Sequence, residues 1–122
     1  MIHQTELLHL AQVAVKLSGL PLSVSGTPHP GDALLPSIRV GRVIVWNRPK
    51  PHKKMNGAKN SPKATPLWQT TLTYEDEDGD PVEMEMQNFE SVARAVSHSV
   101  CINVLWEIEE AVEAEAESLN IK

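Results

Sequence analysis

Leu67-Trp-Gln-Thr-Thr-Leu-Thr-Tyr-Glu-Asp-Glu-Asp-Gly-Asp-Pro-Val-Glu-Met-Glu-Met-Gln87 decides the fold class. Trp68, Thr70, Leu72 and Tyr74 share one parity; Gln69, Thr71, Thr73 and Glu75 share the other. A period of two is that of a strand. Past Glu75–Pro81, Val82, Met84 and Met86 alternate with Glu83, Glu85 and Gln87, which describes a strand with one wet face. The pattern predicts an antiparallel hairpin, 67–75 with 81–87, closed at Asp78-Gly79 as a type I′ turn.

Upstream, Ile38-Arg-Val-Gly-Arg-Val-Ile-Val-Trp-Asn47 is the most β-branched run of the chain and reads as one strand. Strict alternation places Ile38, Val40, Ile44 and Trp46 on one face, with Arg42 intruding. A bulge at Gly41 instead moves Val43 and Val45 onto that face. Leu22–Ser25 alternates as a short edge strand, and the Gly/Pro-rich segment from Gly26 to about Ser37 reads as a loop. His29 in that loop is expected to be solvated.

Helices enclose this strand region in sequence. Thr5 is the expected N-cap of a helix over about 5–18, with Leu7, Leu10, Ala11, Ala14 and Leu17 at core spacing. Gly19 and Pro21 supply its stop. Asn88 is the expected cap of a second helix from Phe89 to about Ser118, roughly 45 Å long at 1.5 Å per residue. Its apolar stripe runs Phe89, Val92, Ala93, Val96, Val100 and onward through Val104, Ile108, Ala111 and Val112. The segment Ser97-His98-Ser99 is the expected place for a bend. The fold class is therefore α+β: an N-terminal helix, a three- or four-stranded antiparallel sheet of sequential hairpins, and a long C-terminal helix packed on it, in a single domain over 1–122.

Charge is divided sharply along the chain. Residues 1–74 carry a net +7 and residues 75–122 a net −12. Six of the eleven Lys and Arg fall in the sixteen residues 48–63, which hold no acid. Arg48, Lys50, Lys53, Lys54, Lys59 and Lys63, with His52, would line a long hairpin loop, and connections of that length are commonly functional or disordered. The second helix ends in the opposite sign. Glu107, Glu110, Glu113 and Glu117, with Glu109 and Glu115, crowd turns where the macrodipole disfavours anions. Glu109, Glu113 and Glu117 are also like charges four apart. A basic surface on a partner or on a second copy would offset both.

These two segments are the candidate partner-binding residues. The leading expectation is a non-enzymatic interaction or assembly protein that docks on a complementary protein surface or on neighbouring subunits. Size and charged extensions suit small assembly or accessory proteins, viral ones included. A second expectation is non-specific nucleic-acid binding through loop lysines on phosphates. The loop lacks aromatic residues for stacking and has one arginine, so base-specific readout is not expected. A third is an inhibitor whose acidic helix mimics nucleic-acid charge.

Catalytic signatures are absent. The chain has no Gly-rich loop ending in Gly-Lys-Ser/Thr, no Gly-x-Ser-x-Gly, no His-Glu-x-x-His and no cysteine pair for zinc. No cofactor, metal or small-molecule substrate is expected. An EF-hand register counted from Tyr74 places Asp76, Asp78, Gly79 and Glu85 suitably, but Tyr74 holds the first place, Pro81 the eighth, and strands flank it. The turn reading is preferred. Cys101, the single cysteine, and His98 lie three apart in the most apolar segment, so Cys101 is expected to be a buried hydrophobe. No signal peptide is visible and no apolar run is long enough to span a bilayer, which makes an intracellular, cytoplasmic location the expectation.

Overall fold

A computed structural model describes residues 2–32, 34–48 and 67–121. The element order is α1 (Gln4–Ser18), β1 (Val24–Gly26), β2 (Ser37–Val40), β3 (Val43–Arg48), β4 (Leu67–Glu75), β5 (Pro81–Phe89) and α2 (Val92–Ser118). The strands make one antiparallel sheet in sequential order, β1-β2-β3-β4-β5. The expected α+β architecture holds.

The fifth strand arises inside Ile38–Asn47, which is a hairpin rather than one strand. Val40 pairs with Val43 across a two-residue turn, with Gly41 at φ 57°. Glycine at the first turn position matches a type II′ hairpin. Ile38 faces Val45 across the pair, so Ile38, Val40, Val43 and Val45 share the helix-covered side. Ile44 and Trp46 fall on the other. The grouping expected from a bulge at Gly41 is correct, but a turn produces it.

The hairpin β4–β5 forms as expected, with Tyr74 opposite Val82 and Leu72 opposite Met84. Its closure differs. Glu75 pairs with Pro81, and of the five turn residues between them only Gly79 has positive φ, at 82°, whereas type I′ needs two such residues. The Asp76 carboxylate holds the turn, accepting from Asp78 N at 3.0 Å and Asp80 N at 2.8 Å. A register shift opposite Thr70/Thr71 leaves Met86 without a partner, and both Met84 and Met86 are exposed rather than half-buried.

Both helices cover one face. Leu7 and Ala11 of α1 and Ala95, Val96 and Val100 of α2 pack on Ile38, Val40, Val45 and Trp68. A satellite of Val43, Leu72 and Ile102 sits farther along α2. Helix α1 starts at Gln4, before the expected cap Thr5, because Glu6 Oε1 accepts from His3 N at 3.0 Å. Gln4 then acts like a strand, donating to Ser37 O at 2.6 Å and accepting from Ser37 N at 2.8 Å. Gly19 closes α1 in the left-handed region at φ 72°. Leu17, expected in the core, is exposed.

Helix α2 is capped by Ser91, whose Oγ accepts from Arg94 N at 3.3 Å, and not by Asn88, because β5 runs on to Phe89. It is helical without a break from Val92 to Ser118, through the expected bend, about 40 Å at 1.5 Å per residue. No helix among the described residues is long and apolar enough to cross a membrane.

Candidate interaction surface

Helix α2 has two halves of different physical character. From Val92 to Trp106 it lies on the sheet, burying Ala95, Val96, Ser99, Val100, Ile102 and Asn103. Beyond Trp106 every residue to Leu119 is exposed except the half-buried Ala116. The last three turns are an arm that leaves the body. Ile108, Ala111 and Val112, expected to continue the core stripe, lie on this arm in solvent.

The arm is rooted at a small polar and aromatic cluster. The Arg42 guanidinium stands 5.0 Å from the Trp106 ring centre, a cation–π distance. Tyr74 packs on the same ring at 5.5 Å, and Trp106 Nε1 donates to Glu110 Oε1 at 2.6 Å. These residues, with Arg39 and Thr73, line a shallow cleft of about 450 Å³. Arg39 Nη1 donates to Thr73 Oγ1 at 2.9 Å, and that hydroxyl donates in turn to Arg42 O at 2.9 Å. The cleft's donors therefore serve the hairpin ends that hold the arm in place.

Glu107, Glu110, Glu113 and Glu117 are all exposed along the arm. At 3.6 residues per turn Glu110, Glu113 and Glu117 fall within about 60° of one another, and Glu107 stands about 60° to the other side of Glu110. Arg48 sits at the far end of β3, where Nη1 donates to Gln69 Oε1 at 3.3 Å and lies 3.7 Å from Glu85 Oε2. Lys50, His52, Lys53, Lys54, Lys59 and Lys63 lie outside the described residues. They fall between β3 and β4, whose ends pair at Arg48 and Leu67. The six steps from Arg42 to Arg48 span about 20 Å at 3.3 Å each, so the root of the basic loop and the root of the acidic arm stand at opposite ends of the sheet.

Three further groups depart from, or add to, the sequence reading. His29 is buried, not solvated. Nδ1 accepts from Gly31 N at 3.0 Å and Asp32 N at 2.8 Å, so Nε2 carries the proton and donates to Asn47 O at 2.5 Å. Its ring meets Trp46 edge-on at 5.1 Å. It borders a cleft of about 620 Å³ between the start of α1 and residues 27–36, yet both ring nitrogens are spent on its own loop and on Asn47 O. Cys101 is exposed on α2, which corrects its expected burial. His98 is half-buried against Phe89 at 5.0 Å, with Nδ1 3.1 Å from Thr70 Oγ1, and burial holds its pKa below the usual imidazole value.

The carboxylates of Asp76, Asp78 and Asp80 converge within 4.8 Å of one another at the exposed β4–β5 turn. The Asp76 carboxylate is already engaged there, accepting from Asp78 N and Asp80 N. No family model, curated protein or solved structure matches the chain.

Proposed function

We propose that this is a non-enzymatic interaction protein of the assembly type, with the acidic α2 arm and the basic β3–β4 loop as its two contact elements. The observation that carries this reading is the departure of α2 from the sheet after Trp106, with its glutamates exposed. An isolated helix end of this charge is unfavourable, through both the macrodipole and like-charge spacing. A cationic partner relieves both. The roots of the two elements stand at opposite ends of the sheet, so the loop of one copy can meet the arm of the next and build a head-to-tail assembly. The same surfaces suit a heterologous protein with a matching basic or acidic patch.

Charge reversal tests this. Lys53→Glu with Lys54→Glu, or Glu113→Lys with Glu117→Lys, should each abolish salt-sensitive association, and mixing the two reversed proteins should restore it. Association unchanged by either reversal contradicts the reading. A shift of random DNA or RNA at low salt, lost with the Lys53 and Lys54 changes, assigns the loop to phosphate instead.

A further inference from the structure

The acids of α2 do not surround the arm evenly. Cys101, Leu105, Ile108, Val112 and Leu119 are all exposed, with Leu105 55%, Ile108 53%, Val112 61% and Leu119 59% accessible. At 3.6 residues per turn they fall within an arc of about 60°, on the side of α2 opposite the buried Ala95, Ser99 and Asn103. Their spacing of four, three, four and seven is that of a heptad seam. Glu110, Glu113 and Glu117 point away from it. Two charged residues lie on the seam itself: Arg94 toward its N-terminal end and Glu115 toward its C-terminal end, both exposed.

We propose that this outer face of α2 is an interface between two copies of the chain paired antiparallel, each arm lying along the body-bound half of its partner's α2. The proposal rests on the reading of the arm as a contact element and assigns its apolar side. The charges on the seam choose the occupant and the direction. A parallel pair sets Arg94 on Arg94 and Glu115 on Glu115, and gathers both acidic ends together. An antiparallel pair brings Arg94 about one turn from the partner's Glu115 and opposes the two macrodipoles. The register that aligns the apolar positions places Leu105 against the partner's Ile108 and Cys101 against the partner's Val112. Such a contact is isologous and closes on itself. It leaves the acidic side of each arm free for the contacts proposed above.

Sedimentation equilibrium of the full chain, with cysteine cross-linking, tests the pairing. The wild type should be a dimer that persists at high salt. Ile108→Lys should be monomeric under that condition with an unchanged circular dichroism spectrum, because Ile108 is exposed and belongs to neither core cluster, and its Tm should fall only by the stabilisation that dimerisation gives the wild type. Arg94→Glu should weaken the dimer at least tenfold, and Arg94→Glu with Glu115→Arg should recover most of the loss. Oxidation by diamide should join two Val112→Cys chains, through Cys101 of one copy and the introduced thiol of the other. The wild type should not cross-link, since its two Cys101 residues stand about 16 Å apart at 1.5 Å per residue, beyond disulfide reach. A wild type that is monomeric at high salt at every soluble concentration overturns the proposal. So does a Cys101–Cys101 disulfide, or a dimer in which Val112→Cys fails to cross-link. Failure here is separable from failure of the charge reading: Ile108→Lys leaves salt-sensitive association intact, and the Lys53 and Lys54 reversals leave the high-salt dimer intact.

Discussion

Asn103 of α2 is locked onto the β2–β3 turn at Gly41, where an added Cβ would stand 2.8 Å from Asn103 Cγ. The amide accepts from Arg42 N at 2.9 Å and donates to Val40 O and Ser99 O, each at 2.8 Å. One buried side chain thus satisfies the carbonyl that enters the turn and an N–H within it, and fixes where α2 crosses the sheet. The direction in which the arm leaves depends on it.

Gly41→Ala should destabilise the fold by about 1–3 kcal/mol, since it meets both a left-handed backbone and the Asn103 amide. Asn103→Ala should cost about 1–3 kcal/mol by stranding Arg42 N and Val40 O. The two changes should be non-additive, with Gly41→Ala milder when Asn103 is already alanine. Urea unfolding of the four proteins in the cycle measures this; simple additivity argues against the contact.

His29→Ala should leave Gly31 N, Asp32 N and Asn47 O without their partner and open the segment before β2. The expected loss is about 1–3 kcal/mol, accompanied by greater solvent exposure of Trp46 in fluorescence. An unchanged Tm would place His29 outside the fold's stabilising contacts.

His98 sets a pH dependence whose sign is fixed. Its folded-state pKa lies below the unfolded value of about 6.5, because burial disfavours the imidazolium. On acidification the unfolded chain takes up the proton first, so stability is full above about pH 6.5 and falls as pH drops toward the folded pKa. Denaturant titrations from pH 7.5 to about 5 should show this decline, and His98→Gln should flatten it.

Ile102 and Ile108, six residues apart on one helix, separate core from arm. Ile102→Ala should cost about 2–4 kcal/mol, as burial against Val43 and Leu72 requires. Ile108→Ala should change monomer stability by no more than about 0.5 kcal/mol. Equal costs would mean that the arm packs on the body.

What the sequence made legible follows from which patterns were local. The β4–β5 hairpin was readable because polar and apolar residues alternate through Leu67–Tyr74, and α1 was readable from its stripe and Gly19. The β2–β3 hairpin was hidden because valine and isoleucine lie on both sides of Gly41-Arg42, so hydropathy does not fall at the turn. Val-Gly-Arg-Val, with glycine at the first turn position, was the available signal. In α2 the apolar spacing continues past Trp106 while its direction rotates to the far side of the helix, and periodicity alone does not say where the sheet ends. His29 was misread because its burial depends on backbone groups at Gly31, Asp32 and Asn47 that only the tertiary fold assembles. The charge division was fully visible, and Arg48 and the arm glutamates emerge at opposite ends of the sheet.

The mass of the full chain in solution, followed from low to high salt, bears most directly on the arm as a contact element. Assemblies larger than two chains at low salt should reduce to a dimer at high salt, because screening removes the lysine–glutamate contacts and spares the apolar seam. A single-chain mass across the whole salt range would contradict the account.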